Sequence, residues 1–291
     1  MGYSNWSDDA YRRVSSERSG ASSAEIFRGE MSTDPLMDPR GIKAREARDS
    51  EHHPNSIPII VAFDVTGSMG DIPTRFAQDL LGKLMAQLVE NAWVTDPQIL
   101  IAAIGDAVSD RAPLQIGQFE SGLEMDMWLT RLWIEGRGGD IPESYTLAHW
   151  FAAHHTATDA WQKRKQKGYL FTIGDAPHKP LQPSHIQRVF GASTDLPTDS
   201  PAVIAAAAER YELFHIQITR GNPPDAATLA DWAPLLGERL LILDHTEAIC
   251  DLIGILMGVN EGHVQANDGI ALLQKAGMGR EVAERAIGSV S

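Results

Sequence analysis

Short apolar runs alternate with amphipathic stretches from residue 57 onward. The first run, residues 57–63, is uninterrupted and rich in β-branched side chains, which is typical of a strand buried on both faces of a parallel sheet. Similar runs predict further strands at residues 98–105, 168–174, 212–219 and 239–243. Residues 113–119 alternate only weakly after a turn, and we predict an edge strand there that folds back antiparallel.

Amphipathic segments follow most of these strands. They predict helices at residues 74–90, 123–133, 144–154, 183–190, 201–211, 226–236 and 246–257. Strands that alternate with helices form a parallel sheet covered on both faces. We therefore expect an α/β fold, with a doubly wound, mostly parallel central sheet and one antiparallel edge strand, flanked by helices.

Both ends of the chain differ from this pattern. Residues 1–56 are dominated by Ser, Arg, Asp and Glu and lack strand periodicity, and they predict short helices at 8–16 and 23–31. Residues 259–291 predict two short helices, packed on the domain or serving as a docking tail. We expect a polar N-terminal extension (1–56), an α/β domain (57–258) and a C-terminal helical extension (259–291).

Composition narrows the class of protein. A hydrophobic content of 43% over 291 residues suffices for a sizeable core, and a net charge of −14 argues against binding to nucleic acid or to anionic membranes. Cys250, the only cysteine, lies in an apolar run and is predicted to be a core residue. No apolar stretch reaches the roughly 18 residues of a membrane span, and the N-terminus lacks a signal-peptide pattern. We expect a cytoplasmic protein.

Asp64, Thr66 and Ser68 alternate in the loop that follows the first strand. A carboxylate and two hydroxyls on one tight loop suit a hard divalent cation. A single carboxylate leaves net positive charge on the ion, so a carboxylate of a partner can complete its shell. The same residue types are common in turns, so this loop alone fits a plain strand end equally well.

Two further loops carry carboxylates. Asp140 and Glu143 precede the helix at 144–154, and Asp175 follows the strand at 168–174. If the first and fourth strands are neighbours, Asp64 and Asp175 meet at the carboxyl edge, where they repel unless a cation or a shared proton intervenes. This convergence favours a metal site. Taken alone, Asp140 and Glu143 are spaced as a capping box, and Asp175 fits a simple strand end.

These motifs carry a family resemblance. Asp-x-Thr-x-Ser, then Gly-Gly-Asp-x-Pro-Glu, then Phe-Thr-x-Gly-Asp-Ala resembles the von Willebrand factor A (vWA) fold with its metal-ion-dependent adhesion site (MIDAS), over residues 57–258. Asp64, Thr66 and Ser68 match the first loop of the family, with Thr in place of the commoner Ser, and Asp175 matches its last acidic position. The resemblance implies that the two hydroxyls contact the cation directly, and that Asp64 and Asp175 act mostly through ordered waters.

The middle loop resembles that of integrin beta subunits, where Asp-x-Pro-Glu replaces the usual Thr. The resemblance implies that Glu143 binds the metal, while Asp140 and Pro142 shape the loop or line a second cation site. The implied ion is Mg²⁺, or Mn²⁺ or Ca²⁺. Asp71 stands where integrin beta subunits have an acidic residue of an adjacent site, but its neighbours do not continue that pattern, and we expect Asp71 to be a helix N-cap.

The whole chain looks most like bacterial and phage proteins built on this domain. The likeness implies a non-enzymatic adaptor that uses its metal ion to engage an acidic residue of another protein, often beside an AAA+ ATPase of the MoxR type. A third possibility is a structural subunit whose metal ion only stiffens the sheet edge.

The competing class is an Mg²⁺-dependent phosphotransfer enzyme of the haloacid dehalogenase type. There Asp64 would be the nucleophile, Asp175 would belong to the late Gly-Asp motif, and Lys163, Lys165 or Lys167 would supply the required lysine. That chemistry also expects a second carboxylate beside Asp175, and the sequence has none at the expected places.

Overall fold

The central sheet has six strands. The computed structural model describes residues 4–28, 31–136, 142–219, 221–224 and 226–290. The strands are β1 (Arg45–Ala47), β2 (Ile57–Asp64), β3 (Pro97–Ile104), β4 (Leu114–Ile116), β5 (Thr156–Thr158), β6 (Gly168–Gly174), β7 (Tyr211–Ile218) and β8 (Leu240–Leu243). The main sheet has the order β4-β3-β2-β6-β7-β8, and β1 pairs with β5 in a separate two-stranded sheet.

All pairs in the main sheet are parallel except β3 with β4. When only the six strands of the main sheet are numbered along the chain, their order in the sheet is 3-2-1-4-5-6. This is the order of a doubly wound sheet, and its switch point lies between β2 and β6. The predicted antiparallel edge strand is confirmed. The first and fourth predicted strands, β2 and β6, are neighbours, which is the condition under which Asp64 and Asp175 meet. Phe63 is the register partner of Ile173, so both strands end at the same level of the carboxyl edge.

Helices cover both faces. They are α1 (Asp8–Ser16), α2 (Ser23–Ile26), α3 (Ile72–Arg75), α4 (Leu81–Glu90), α5 (Glu124–Thr130), α6 (Thr146–His154), α7 (Asp159–Arg164), α8 (Pro183–Phe190), α9 (Ser200–Ala208), α10 (Ala226–Leu236), α11 (Ile249–Asn260), α12 (Ala266–Lys275) and α13 (Arg280–Gly288). Every residue of β2 is buried because its alternate side chains enter two different cores. Ile59 and Val61 pack with α4 and α11, whereas Ile60 and Ala62 pack with α6 and α9.

Several elements differ from the sequence prediction. The helix predicted at 74–90 consists of α3, a π-helical turn at Phe76–Leu80 and α4. The structure also contains β1, β5 and α7, none of which was predicted. These elements have only three to six residues each, too few for a hydrophobic period to show. None of the helices described is long and apolar enough to cross a membrane.

The N-terminal residues pack against the sheet domain. Tyr11 of α1 is 2% exposed and lies on Gly82 of α4. Arg18 forms a bidentate ion pair with Asp126 of α5, at 2.5 and 2.6 Å. Met37 is fully buried beside β4 and its carbonyl accepts the backbone N–H of Ile116. The three-part division of the chain stays a prediction.

We expect Gly82→Ala to release the N-terminal helix from the domain. A methyl carbon at Gly82 would lie 2.2 Å from a ring carbon of Tyr11, so the buried ring has to move. The better helix propensity of alanine gains at most about 1 kcal/mol, whereas overpacking costs about 1–3 kcal/mol. The melting temperature should therefore fall, and limited proteolysis should cut within residues 4–28 faster than in the unsubstituted chain.

Gly288→Ala is the matched control. Gly288 ends α13, and no atom lies within 4 Å of the position that its methyl carbon would take. This variant should keep or raise the melting temperature and leave proteolysis unchanged. Identical behaviour of the two variants would show that Tyr11 does not hold α1 against α4.

Candidate metal site

The first loop starts from a fully buried carboxylate. Asp64 is the last residue of β2 and is 0% exposed. Its Oδ1 accepts the backbone N–H of Thr66 at 2.7 Å, and its Oδ2 accepts the hydroxyl of Tyr145 at 2.9 Å. Thr66 is also buried, whereas Ser68 is exposed on the short 3-10 turn that follows. The loop therefore leads from a buried carboxylate to an exposed hydroxyl.

The third loop meets the first at the carboxyl edge. The Ser68 hydroxyl donates to Oδ1 of Asp175 at 2.8 Å, although the two residues are 107 positions apart. The Thr66 hydroxyl oxygen lies 3.2 Å from that of Ser68. Three side-chain oxygens thus form a continuous row, with Asp175 half-buried and Ser68 open to solvent. The structure places these predicted residues together on one edge.

The middle loop contributes Glu143 to the same edge. Its backbone N–H donates to the Pro177 carbonyl at 3.0 Å, and its carbonyl accepts the Lys179 N–H at 2.7 Å, so it is tied to the segment after Asp175. The Glu143 side chain is 4% exposed, and its Oε2 has no hydrogen-bond partner among the described residues. Asp140, the other predicted residue of this loop, lies outside the described residues.

Two carboxyl groups of the site, those of Glu143 and Asp64, have raised pKa values. Burial, followed by the negative charges of Asp64, Asp110 and Asp106, raises the pKa of Glu143 to about 9. Burial raises the pKa of Asp64 to about 6 against the effect of its hydrogen bonds, and Asp175 adds to the rise. A cation at this edge would stabilise the charged form of both groups and so oppose both shifts. The orphaned Oε2 and the row of hydroxyl and carboxylate oxygens fit such an ion.

The ligand set is mixed rather than purely acidic. No group of three or more Asp, Glu, His or Cys side chains in the described part of the chain is arranged to hold a metal ion. The arrangement instead combines the hydroxyls of Thr66 and Ser68 with carboxylates at different depths. Oxygen ligands of this kind suit a hard cation such as Mg²⁺ and not a soft one.

The sequence also allowed Glu143 and Asp71 to act only as helix-capping residues. The N-cap of α6 is Tyr145, so Glu143 lies outside that helix and is not the acidic member of a capping box. Asp71 does occupy the N-cap position of α3, as predicted, but its side chain makes no capping hydrogen bond there.

Tyr145 holds the first and third loops together, and sequence reasoning missed it. Its ring is fully buried, and its hydroxyl both donates to Asp64 and accepts the backbone N–H of Ala176 at 3.3 Å. Only a glycine fits at position 174, because a methyl carbon there would lie 2.0 Å from this hydroxyl. Trp232 donates its indole N–H to the Ala176 carbonyl at 3.2 Å. Two buried aromatic side chains therefore fix the loop that carries Asp175.

A buried ion pair next to Glu143 was also missed. The Lys179 ammonium lies 2.6 Å from Oδ1 of Asp106, which also accepts the Ser144 hydroxyl at 3.1 Å. Burial alone would raise the pKa of Asp106, but hydrogen bonds from Lys179 and Ser109 outweigh it and hold the pKa at about 2. The signal was present in the sequence, because Ile-Gly-Asp-Ala at 104–107 repeats the Ile-Gly-Asp-Ala at 173–176.

Comparisons with known proteins find similarity only at the level of fold. No protein-family model matches the chain, and no curated protein sequence does. Among solved structures, the chain is similar to a von Willebrand factor type A protein from Catenulispora acidiphila, with 13% identity and a TM-score of 0.38 over 80% of this chain and 43% of the other.

Two further structures are similar to it. One is the pilus adhesin SpaC from Lactobacillus rhamnosus GG in its open conformation, with 9% identity and a TM-score of 0.46 over 77% of this chain and 31% of the other. The second is proximal thread matrix protein 1 from the mussel byssus with a zinc-occupied MIDAS motif, with 10% identity and a TM-score of 0.41 over 74% and 48%. The chain thus spans less than half the length of these structures, and at such TM-scores no assignment of function rests on them.

Proposed function

We propose that the chain is a metal-ion-dependent protein-binding module. Mg²⁺ binds among Thr66, Ser68 and Glu143, with Asp64 and Asp175 around it, and the carboxylate of a partner protein completes its shell. The observation that carries this proposal is the buried Oε2 of Glu143, which has no partner among the described residues and faces further negative charge. The vWA resemblance of the sequence motifs extends the proposal to an AAA+ ATPase of the MoxR type as the partner.

The geometry supports binding over phosphotransfer. Asp64 is 0% exposed and both of its oxygens accept hydrogen bonds, so neither is presented to a substrate as a nucleophile. Two of the three candidate lysines also lie elsewhere or are engaged otherwise. Lys167 directly precedes the seven-residue strand β6, so roughly 23 Å of strand separates it from the carboxyl edge. Lys163 pairs with Asp49 and Asp159. We therefore propose no catalytic step.

We expect the chain to bind Mg²⁺ with a heat that Asp64→Asn abolishes. The amide keeps the size of the side chain, and its oxygen can still accept the Thr66 N–H while its NH2 group faces the Tyr145 hydroxyl oxygen, but it removes the charge that attracts the ion. Calorimetric titration with Mg²⁺ measures the difference. Asp268→Asn, at an exposed position on α12, removes the same charge and should leave the heat unchanged. Equal heats for the Asp64 variant and the unsubstituted chain would overturn the metal site.

We expect the metal-free chain to lose stability as the pH rises from about 6.5 to about 9. Glu143 has an ordinary pKa of 4.5 and a folded pKa of about 9, so in this range the folded chain holds a proton that the unfolded chain has lost. The free energy of unfolding must then fall with rising pH. Below this range Asp64 adds the same trend up to about pH 6, whereas the buried His149 and His215, with pKa values lowered to about 4 and about 3, give the opposite trend. Melting temperatures in EDTA across this range measure the effect.

Glu143→Gln isolates the contribution of that carboxyl group. Its melting temperature should fall less steeply with pH and should exceed that of the unsubstituted chain at the alkaline end. Mg²⁺ should raise the melting temperature of the unsubstituted chain more at high pH than at low pH, because the ion competes with protons. A pH profile identical in the variant would show that Glu143 ionises normally.

Partner binding should require the ion. The immobilised chain should retain the same proteins from a lysate of its source in Mg²⁺, lose them in EDTA, and fail to retain them in Mg²⁺ when Asp64→Asn is used as bait. Mass spectrometry identifies the retained proteins. If Mg²⁺ raises the melting temperature but no protein is retained in an ion-dependent way, the ion only stiffens the sheet edge, and the adaptor function is wrong.

A further inference from the structure

A pocket lies beside the edge strand, and its charge is opposite to that of the candidate metal site. It has a volume of about 270 Å³ and lies between the N-terminal segment, the loop before β4 and the end of α8. Three arginines, Arg40, Arg111 and Arg188, line it together with Thr33 and Asp38. The chain as a whole carries a net charge of −14, so this group of cations is opposite in sign to the overall charge.

Most of this positive charge is not neutralised by carboxylates. Among the described residues, neither Arg111 nor Arg188 forms an ion pair, and Arg40 pairs only with Asp38, at 3.2 Å. Asp38 is also engaged otherwise, because it accepts the backbone N–H of Arg40 at 3.0 Å as the cap of a short 3-10 turn. Glu135, which is not in the pocket wall, accepts the backbone N–H groups of residues 111 and 112. The wall therefore keeps an excess of positive charge.

Each arginine is held in place by the surrounding structure. The side-chain stem of Arg40 packs on Gly191, the C-cap residue of α8, which has a φ of +76°. The guanidinium of Arg111 lies over the ring of Trp133, 5.3 Å from its centroid. Arg188 donates to the backbone carbonyls of Ala107, Val108 and Asp110, so it fixes the loop that carries Arg111. Guanidinium groups that are already ordered lose less entropy when they bind an anion.

We propose that this pocket binds a compact oxyanion, a carboxylate or a phosphate group, without a metal ion. Arginine forks match the paired oxygens of both groups, and the Thr33 hydroxyl adds a further donor. The volume is below that of pockets for drug-sized ligands, so it accommodates one charged group with a small part of its carrier. The proposal is independent of the metal site, because none of the residues lining the pocket is a predicted metal ligand.

The experiment is a pair of titrations on chain that has been treated with EDTA and then dialysed into a buffer free of EDTA and of other multivalent anions. One arm uses inorganic phosphate and the other uses a hexaglutamate peptide, both followed by calorimetry. At least one of them should bind at millimolar or lower concentration. Arg111→Ala should weaken that binding at least tenfold, and Arg111→Lys should restore part of it. Arg188 is not substituted, because its hydrogen bonds hold the loop.

Two controls separate this site from general charge and from the metal site. Arg12→Ala removes one positive charge from α1, where the side chain is 75% exposed, and should leave the affinity unchanged. Asp64→Asn should also leave it unchanged, so that failure of the metal site does not affect this result. Binding of phosphate alone or of hexaglutamate alone identifies the type of oxyanion. Absence of binding in both arms, or equal affinity in Arg111→Ala and Arg12→Ala, would overturn the proposal.

Discussion

The pairing of β2 with β6 imposes an electrostatic constraint on which the site depends. The two strands run parallel, so Asp64 and Asp175 leave the sheet at the same edge, next to Glu143. An unpaired buried charge costs several kcal/mol, and a domain has only about 5–15 kcal/mol of stability in total. The three carboxyl groups therefore cannot all be charged and unpaired. Asp64 accepts hydrogen bonds from the Thr66 N–H and the Tyr145 hydroxyl, and Asp175 is half-buried and accepts from Ser68. Glu143, with a pKa raised to about 9, retains its proton at neutral pH.

The side chains behind this edge explain how such a site stays in one geometry. Tyr145 contacts His215 at a ring-centroid distance of 5.0 Å, and His215 stacks on Trp232 at 4.0 Å. Burial lowers the pKa of His215 to about 3, so its ring is neutral and acts as a hydrogen-bonding partner for Thr172 rather than as a charge. This layer holds Asp64 and the backbone around Ala176 with directional bonds. A site built on such a layer is ordered before any ion arrives, so little entropy is lost on binding.

The sheet and the meeting of the loops were predictable from the sequence because they follow from patterns longer than one element. Uninterrupted apolar runs indicate strands buried on both faces, and the strand order of a doubly wound sheet places Asp64 next to Asp175. The contribution of Tyr145 was not predictable from the sequence. Its hydroxyl fits beside β6 only because Gly174, far away in the chain, has no side chain. The π-helical turn at Phe76–Leu80 was not predictable either, because over five residues its hydrophobic pattern does not differ from that of an α-helix. The pairing of β1 with β5 rests on backbone hydrogen bonds, which leave no mark in side-chain pattern.

The loop between β3 and β4 connects two regions of opposite charge. On one side, Asp106 accepts hydrogen bonds from Ser144 and Lys179, so it is joined to the residues around Glu143. On the other side, Arg188 binds the carbonyls of the same loop and lines the arginine pocket. Lys179 pairs with Asp106, so this carboxylate of the loop is not left as an unpaired charge between the two regions. A negatively charged ligand therefore experiences two different electrostatic environments at this end of the sheet. Near Glu143 it is repelled unless a cation is present, whereas at Arg111 it is attracted by the protein itself.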